Sequence, residues 1–172
     1  MLHIITTYAD LDGPRLMTVY AESNRENTDY FFPDLADKAL AVKRVEEGFL
    51  TFLREEFFTW PGPAYYVLEE AGEWVSALRL NEIEPGLYYL EALETRPDSR
   101  GRGFASRLLT GVQESLKREG PFRLCDCVGR RNLSSRLCHE RCGFRAVAEP
   151  GFDWLRGEPD DGTVGMMYAY KM

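Results

Sequence analysis

A strand, a glycine-rich turn and an amphipathic helix follow one another in the middle of the chain, and a second strand comes next. The run Leu87–Thr95 is apolar and rich in aromatic residues, as is typical of a strand. The helix that follows is indicated by apolar residues at helical spacing, namely Phe104, Leu108, Val112 and Leu116. Gly120 and Pro121 end this helix, and the next segment, Phe122–Val128, is a short apolar run typical of a strand. Two strands joined in this way pair in parallel through a right-handed crossover, which restricts the chain to folds with a parallel or mixed sheet.

The N-terminal third predicts one strand and two helices. His3–Leu11 has the β-branched and aromatic residues of a strand, and the segment from Arg15 to about Glu26 has a helical pattern. A second helix is expected to begin with Asp34 as its N-cap. Its apolar face would consist of Leu35, Ala39, Val42, Val45, Phe49 and Phe52.

The remaining segments complete a mixed arrangement. Two strand-like runs joined at Ala71 and Gly72 indicate a hairpin, and a short helix is expected over about Leu133–Cys142. A strand candidate, a long turn-rich loop and a final strand follow. The order β, α, α, β, β, β, α, β, α, β, β predicts an α/β fold with a mixed central sheet flanked by helices.

Composition excludes several classes of protein. At 172 residues the chain is expected to form a single domain, residues 1–172. No apolar run is long enough to span a bilayer, and the first residues resemble no leader, so neither a membrane nor secretion is expected. The formal net charge of −7 argues against nucleic acid as the partner. The four cysteines do not resemble a disulfide framework in a chain of this size, which indicates a reducing, cytoplasmic compartment.

The turn before the central helix combines arginine with glycine in Arg100–Ala105. Glycine lets the backbone approach an anion closely, and the free amides of a helix N-terminus favour negative charge. A phosphate cradle is therefore somewhat favoured over a plain polar turn. The glycine spacing fits neither a P-loop nor a Rossmann motif, which makes a nucleotide-binding domain a weaker alternative.

Two motifs in register resemble the GCN5-related N-acetyltransferase (GNAT) superfamily. The pattern R-x-x-G-x-A at Arg100–Ala105 resembles the family's acetyl-CoA-binding motif, Q/R-x-x-G-x-G/A. The second, Asn132–Phe144, resembles the family's next motif, an Asn followed by a small residue and a short helix that ends in Gly-Phe. Together they lie within residues 87–144. The resemblance implies a GNAT-like fold whose sheet has a V-shaped opening for the cofactor, acetyl-CoA.

The resemblance also implies a role for each matched position. A bulge is expected in the strand before the cradle, which would then splay from the next strand. The backbone of Leu93 and Thr95 would pair with the pantetheine arm, and Asn132 and Ser135 would lie against the cofactor. The pyrophosphate would be held by a continuous segment consisting of Arg100, Gly101, Arg102, Gly103, Phe104, Ala105 and Ser106.

Acetyl transfer to an amine needs a proton acceptor for the amine and benefits from a proton donor for the thiolate. The family commonly places a Tyr seven residues after the Asn, and here that position is His139, as in phosphinothricin-type members. His139 is therefore the candidate acid or proton relay, against a simple helix-surface histidine. Glu91 is the candidate base. It is equally well explained as an exposed acid or as a partner of Arg79 or Arg96.

Two further groups of residues each have a functional and a simpler structural explanation. The cysteines Cys125, Cys127, Cys138 and Cys142 do not match usual zinc spacings, so free thiols are favoured and no metal is expected. The aromatic residues Tyr30, Phe31, Phe32, Trp60, Tyr65 and Tyr66 would line an acceptor pocket or, as is more common, form core.

The sequence thus predicts an acetyl-CoA-dependent N-acetyltransferase that acts by direct attack in a ternary complex. The expected acceptor is the primary amine of a small molecule, such as an amino acid or an analogue. The alternatives are a protein or peptide N-terminus as acceptor, or a non-catalytic module that senses acyl-CoA. The resemblance also makes a homodimer through the last strand an expectation.

Overall fold

The computed structural model of the chain describes residues 1–171. Nine strands occur in it: β1 (Leu2–Ile5), β2 (Pro63–Glu70), β3 (Glu73–Glu84), β4 (Leu87–Thr95), β5 (Phe122–Gly129), β6 (Arg145–Ala148), β7 (Gly151–Asp153), β8 (Glu158–Asp160) and β9 (Thr163–Tyr170). Seven of them form one mixed sheet in the order β1-β2-β3-β4-β5-β9-β6, while β7 and β8 form a separate hairpin. Only β4 and β5 pair in parallel, as the crossover between them predicts.

Six α-helices flank this sheet: α1 (Gly13–Val19), α2 (Ala21–Glu26), α3 (Thr28–Phe31), α4 (Lys38–Glu55), α5 (Phe104–Lys117) and α6 (Leu133–Arg141). Successive residues of a strand face opposite sides, so β2 divides the core in two. Tyr66 and Leu68 pack with the apolar face of α5. Tyr65 and Val67 pack instead with buried residues of α1 and α4. The fold is therefore the expected mixed sheet between two helical layers.

The N-terminal third differs from the sequence prediction in its boundaries. The first strand ends at Ile5, because β1 is an edge strand that pairs only with Tyr65–Leu68, and a 3-10 turn follows at Tyr8–Asp10. The segment predicted as one helix over 15–26 is broken at Tyr20, whose backbone is not helical. That break places the Tyr20 ring between the helices and the sheet, where it is buried.

The long helix α4 also begins later than predicted. Its N-cap is Asp37, not Asp34, and the Asp37 Oδ1 accepts a hydrogen bond of 3.0 Å from the backbone N–H of Leu40. Both aspartates suit an N-cap, so residue type alone does not separate them. The apolar face is shifted accordingly: the buried residues of α4 are Ala41, Val45 and Leu53, with Phe49 and Phe52 partly buried beside them.

A bulge in β4 creates the feature that positions the site. Glu91 lies opposite Arg79 of β3, and Glu94 lies opposite Ala77, so three steps along β4 match two along β3. Ala92 carries the strain of the bulge, with a φ of +52°. The parallel pairing with β5 stops at Tyr89, and β4 then diverges from β5. The expected bulge and V-shaped opening are therefore present.

Candidate active site

A groove of 680 Å³ opens where β4 and β5 diverge, between the N-termini of α5 and α6. Ten of the eleven cofactor residues predicted from the sequence line it: Leu93, Thr95, Arg100, Gly101, Gly103, Phe104, Ala105, Ser106, Asn132 and Ser135. Arg102 does not line it. Its guanidinium stacks over the Phe104 ring, 4.9 Å from the ring centroid.

The start of α5 provides the anion-binding part of the groove. Gly101 and Gly103 have φ values of +74° and +79°, which glycine adopts without strain, and a Cβ at either position would meet no atom within 4 Å. Gly103 is the N-cap and supplies no side chain to cap the helix, so the first amides of α5 find no capping group within residues 1–171. Open space in front of free helical amides fits a pyrophosphate.

Arg100 is tied to both walls of the groove. Its Nε donates a hydrogen bond of 3.2 Å to the carbonyl of Thr95, and its Nη2 forms an ion pair with Glu22 of α2. Half of this side chain is exposed, so the guanidinium remains reachable by an anion at the mouth of the groove.

Asn132 begins α6 and shapes the opposite wall. Its Oδ1 accepts a hydrogen bond of 3.1 Å from the backbone N–H of Ser135 and another of 3.1 Å from the Ser134 hydroxyl. The side-chain oxygen of Asn132 therefore caps the N-terminus of α6, and the side-chain Nδ2 is left to bind a ligand.

The strand edge of β4 beyond Tyr89 supplies backbone groups. Because β5 pairs only with Leu87–Tyr89, the following residues of β4 present an unpaired edge to the groove. The shape of this edge is fixed from the other side, since the Ser76 hydroxyl donates a 2.6 Å hydrogen bond to the carbonyl of Glu94. An extended ligand arm can add to such an edge as a strand does.

A second cavity, of 600 Å³, lies on the other side of the β4 bulge, among α2, α3 and α4. The bulge also forms part of its wall, since both Ala92 and Glu94 line it. The Tyr20 hydroxyl donates a 2.7 Å hydrogen bond to the Ala92 carbonyl and accepts one of 2.8 Å from the buried Tyr65. These bonds hold the bulge in place between the two cavities.

Glu94 is the residue shared by both cavities. Burial raises the pKa of this carboxyl above its usual range, while the nearby Ser23 hydroxyl and the Arg100 charge oppose the rise. Its Oε2 is buried and has no hydrogen-bond partner within residues 1–171. A carboxylate with a free oxygen and a raised pKa is suited to accept a proton from a ligand.

Glu91, the base predicted from the sequence, faces the same side of the sheet as Glu94 because of the bulge. Its Oε2 lies 3.6 Å from Arg79 Nη2 and 3.4 Å from Asn81 Nδ2. Burial raises the pKa of Glu91, and the Arg79 charge opposes that rise. Glu91 lines neither cavity and instead lies behind the Arg79 side chain that does.

His139 is fully buried between α6 and β5, and its ring packs edge-on against Phe144. Its Nδ1 lies 2.8 Å from the carbonyl of Ser135, and its Nε2 lies 2.8 Å from Asp126 Oδ2, out of line for a hydrogen bond. Burial alone would lower the pKa of His139, but the adjacent Asp126 carboxylate and the Ser135 carbonyl together raise it. The ring lies behind Cys138 and Ser135, which line the groove.

Asp126→Asn should destabilise the protein more at about pH 5.5 than at about pH 9. A raised pKa in the folded state means that the pair's stabilisation is complete below the unfolded pKa of about 6.5 and is lost as the pH rises through the folded pKa. In the variant the Ser135 carbonyl still favours the charged ring, but the carboxylate that offsets most of the burial is gone. We expect a loss of about 3 kcal/mol at the lower pH, measured by urea unfolding.

Asp161→Asn, the same change at an exposed loop position, is the control for that experiment. It should change the free energy of unfolding little at either pH. If Asp126→Asn lowers the free energy of unfolding equally at both pH values, or more at the higher one, then Asp126 does not stabilise the protonated ring of His139.

The four cysteines are free thiols, and Cys138 lines the groove. Its Sγ lies 3.3 Å from the Ser106 hydroxyl. Within residues 1–171, no three His, Cys, Asp or Glu side chains are grouped so as to hold a metal ion. No helix in the same part of the chain is both long and apolar enough to cross a membrane.

A family model described as "Acetyltransferase (GNAT) family" matches residues 22–144, more than half of the chain. The chain therefore belongs to the GNAT family and is an N-acetyltransferase of that family, whose members use acetyl-CoA. No curated protein sequence matches the chain significantly.

Solved structures share the fold along nearly the whole chain. The PaiA N-acetyltransferase from Thermoplasma acidophilum, in complex with coenzyme A, is 14% identical with a TM-score of 0.63, and the match covers 99% of each chain. The ribosomal-protein-S18-alanine N-acetyltransferase from Escherichia coli is 17% identical with a TM-score of 0.64, covering 100% of this chain and 96% of that one. A phosphinothricin acetyltransferase from Sinorhizobium meliloti, in complex with AcCoA, is 21% identical with a TM-score of 0.61, covering 99% and 88%.

Sequence reasoning missed three residues that the structure brings to the site. Glu94 could be recognised only with the position of the bulge known, because regular strand alternation places its side chain on the other face of the sheet from Glu91. Tyr20 could be recognised only with the break between α1 and α2 known. Asp126 had a signal in the sequence, because a carboxylate interrupts the otherwise apolar run of β5.

Proposed function

We propose that the protein transfers an acetyl group from acetyl-CoA to a primary amine of a small-molecule acceptor, such as an amino acid or an analogue, by direct attack in a ternary complex. One observation carries this proposal: the groove and the second cavity meet at Glu94, so two ligands can lie on either side of one ionisable group. The groove would hold acetyl-CoA and the second cavity would hold the acceptor, so the transfer would take place where they meet.

The groove residues fit the parts of acetyl-CoA. The α5 amides and Arg100 would hold the pyrophosphate, the β4 edge at Leu93 and Thr95 would bind the pantetheine, and Asn132 Nδ2 would reach it from α6. When bound, acetyl-CoA supplies the acetyl thioester. The chain's own contribution is to fix the arm along β4, so that its end lies near the bulge.

The proton chemistry is assigned to groups beside that position. The Glu94 carboxylate would accept the proton of the acceptor amine, directly or through one water molecule. Glu91 would hold Arg79 in the cavity wall and stays the alternative base. His139 stays the proposed acid or relay. From its buried position it would act through the first turn of α6, whose Ser135 carbonyl it contacts.

Two alternatives have distinct outcomes. A non-catalytic sensing module would bind acetyl-CoA without consuming it in the presence of any amine. A peptide N-terminus as acceptor would give acetylation of short peptides with little transfer to small amines. The cytoplasmic location and the homodimer stay predictions.

Calorimetric titration tests the assignment of the groove. Acetyl-CoA and free coenzyme A are each expected to bind the purified protein in the micromolar range, because the contacts lie with the pyrophosphate and the arm that both contain. ATP and NAD should bind at least about 10-fold more weakly, since they lack the pantetheine that pairs with β4. Preferential binding of ATP or NAD would contradict the assignment.

A further inference from the structure

Five of the fourteen residues that line the cavity beyond the bulge are aromatic. Phe31 and Phe32 of the α3 region lie on one side, and Phe49 and Phe52 of α4 lie on another. Its volume of 600 Å³ is within the usual range for sites that bind small organic ligands. Phe31 is 58% exposed, so an unburied ring stands where a ligand body would cover it.

The cavity wall holds one carboxylate, that of Glu94, beside the guanidinium groups of Arg79 and Arg44. The guanidinium carbon of Arg79 lies over the rings of Phe49 and Phe52, 5.8 and 5.1 Å from their centroids. Its charge is balanced within the wall by Glu91 at 3.6 Å. Glu94 has no such partner on Oε2 within the described chain. The cavity therefore attracts one positive charge, at the end that meets the groove.

The outer part of the cavity disfavours a second positive charge. Arg44 of α4 is exposed and also lines the cavity, with its guanidinium carbon 5.9 Å from the centroid of the Phe32 ring. A ligand with a cationic group at its far end would meet this arginine. A ligand whose far end is a hydrocarbon would instead cover Phe31 and Phe32.

We propose that the acceptor is a primary monoamine carried on an apolar, ring-sized body, which lies among Phe31, Phe32, Phe49 and Phe52 with its nitrogen toward Glu94. This inference rests on the proposed acetyl transfer and names the substrate class for it. The aromatic walls stabilise the body by excluding water, and the single free carboxylate selects the ammonium end.

A panel of matched amines tests the inference at saturating acetyl-CoA. Phenethylamine should be acetylated with a kcat/KM at least about 10-fold above that of ethanolamine, because only its body buries apolar area. Putrescine, with a second cation, should also be at least about 10-fold poorer. If ethanolamine or putrescine equals or exceeds phenethylamine, the inference is wrong while acetyl transfer stands. If no amine is acetylated, the proposed function and the inference fail together.

A variant that fills the cavity provides the second readout. Gly48 lines the cavity from α4, and a Cβ there would meet no atom within 4 Å, so Gly48→Leu is tolerated by the backbone and favoured by helix propensity. It should raise KM for phenethylamine at least about 10-fold while the Kd for acetyl-CoA is unchanged. Glu47→Leu places the same side chain on the exposed neighbouring position and should leave KM unchanged. Equal KM values in Gly48→Leu and the wild type would overturn the placement of the body.

Discussion

Glu94→Gln is expected to lower kcat/KM for amine acetylation by about 100- to 10,000-fold, because it removes the group that we propose accepts the amine proton. The Kd for acetyl-CoA should stay within about threefold of the wild-type value, since glutamine keeps the shape of the shared wall. Burial raises the pKa of Glu94. Wild-type kcat/KM should therefore fall as the pH drops through that raised pKa, and the variant should lose this dependence.

Stability separates a catalytic loss from a folding defect in Glu94→Gln. A carboxyl whose pKa is higher in the folded state contributes most to the free energy of unfolding below its unfolded pKa of about 4.3. That contribution is lost as the pH rises through the folded pKa. Glutamine carries no charge to desolvate, so the variant should unfold at no lower temperature than the wild type at neutral pH.

Two further glutamate variants locate the base. Glu47→Gln changes an exposed glutamate that lines neither cavity and should keep nearly full activity. Glu91→Gln should cost less than Glu94→Gln, because Glu91 lies behind Arg79. If Glu91→Gln has the larger effect, Glu91 is the base and Glu94 is a wall residue.

Ala105→Asp should weaken acetyl-CoA binding at least about 100-fold, equivalent to roughly 3 kcal/mol. Ala105 is the second residue of α5 and lines the groove, so the new carboxylate would stand where the pyrophosphate is expected. A negative charge in the first turn stabilises a helix, and the thermal unfolding temperature should therefore be kept or slightly raised. The titration thus measures the loss of an anion site in an intact protein.

Ala39→Asp is a closely matched control for that variant. Ala39 is the second residue of α4, is exposed and lies outside the groove. The change in net charge and the position in the helix are the same as in Ala105→Asp. Acetyl-CoA should bind Ala39→Asp as it binds the wild type. Equal weakening in both variants would mean that overall charge, not the α5 cradle, governs binding.

Local patterns in the sequence account for much of this site. The β4–α5–β5 unit and the glycines at the start of α5 are encoded within a few residues, so spacing and residue type predicted them. Asn132 was expected at the site from the family motif, but its role as the N-cap of α6 was not predicted. The position of a bulge depends on pairing between strands, and Glu94 was missed for that reason. His139 was predicted as a site residue from its register, but its burial depends on Asp126, which is distant in sequence.

The N-terminal helices show the same division. Their apolar residues were recognised, but Asp34 and Asp37 are equivalent as N-caps by residue type. The choice between them follows from how α4 packs on the sheet. The break at Tyr20 likewise accompanies a contact that is distant in sequence, the hydrogen bond from its hydroxyl to the Ala92 carbonyl. The cavity among these helices was therefore not predicted, although Phe31 and Phe32 were candidates for an acceptor pocket.

The most direct test of the central claim is release of the coenzyme A thiol by the wild-type protein with acetyl-CoA and phenethylamine together. We predict sustained release that requires both compounds and is matched by formation of the N-acetylated amine in equal amount. Tight binding of acetyl-CoA with no thiol release above the amine-free rate, for this or any other amine of the panel, would contradict it and would favour a sensing module.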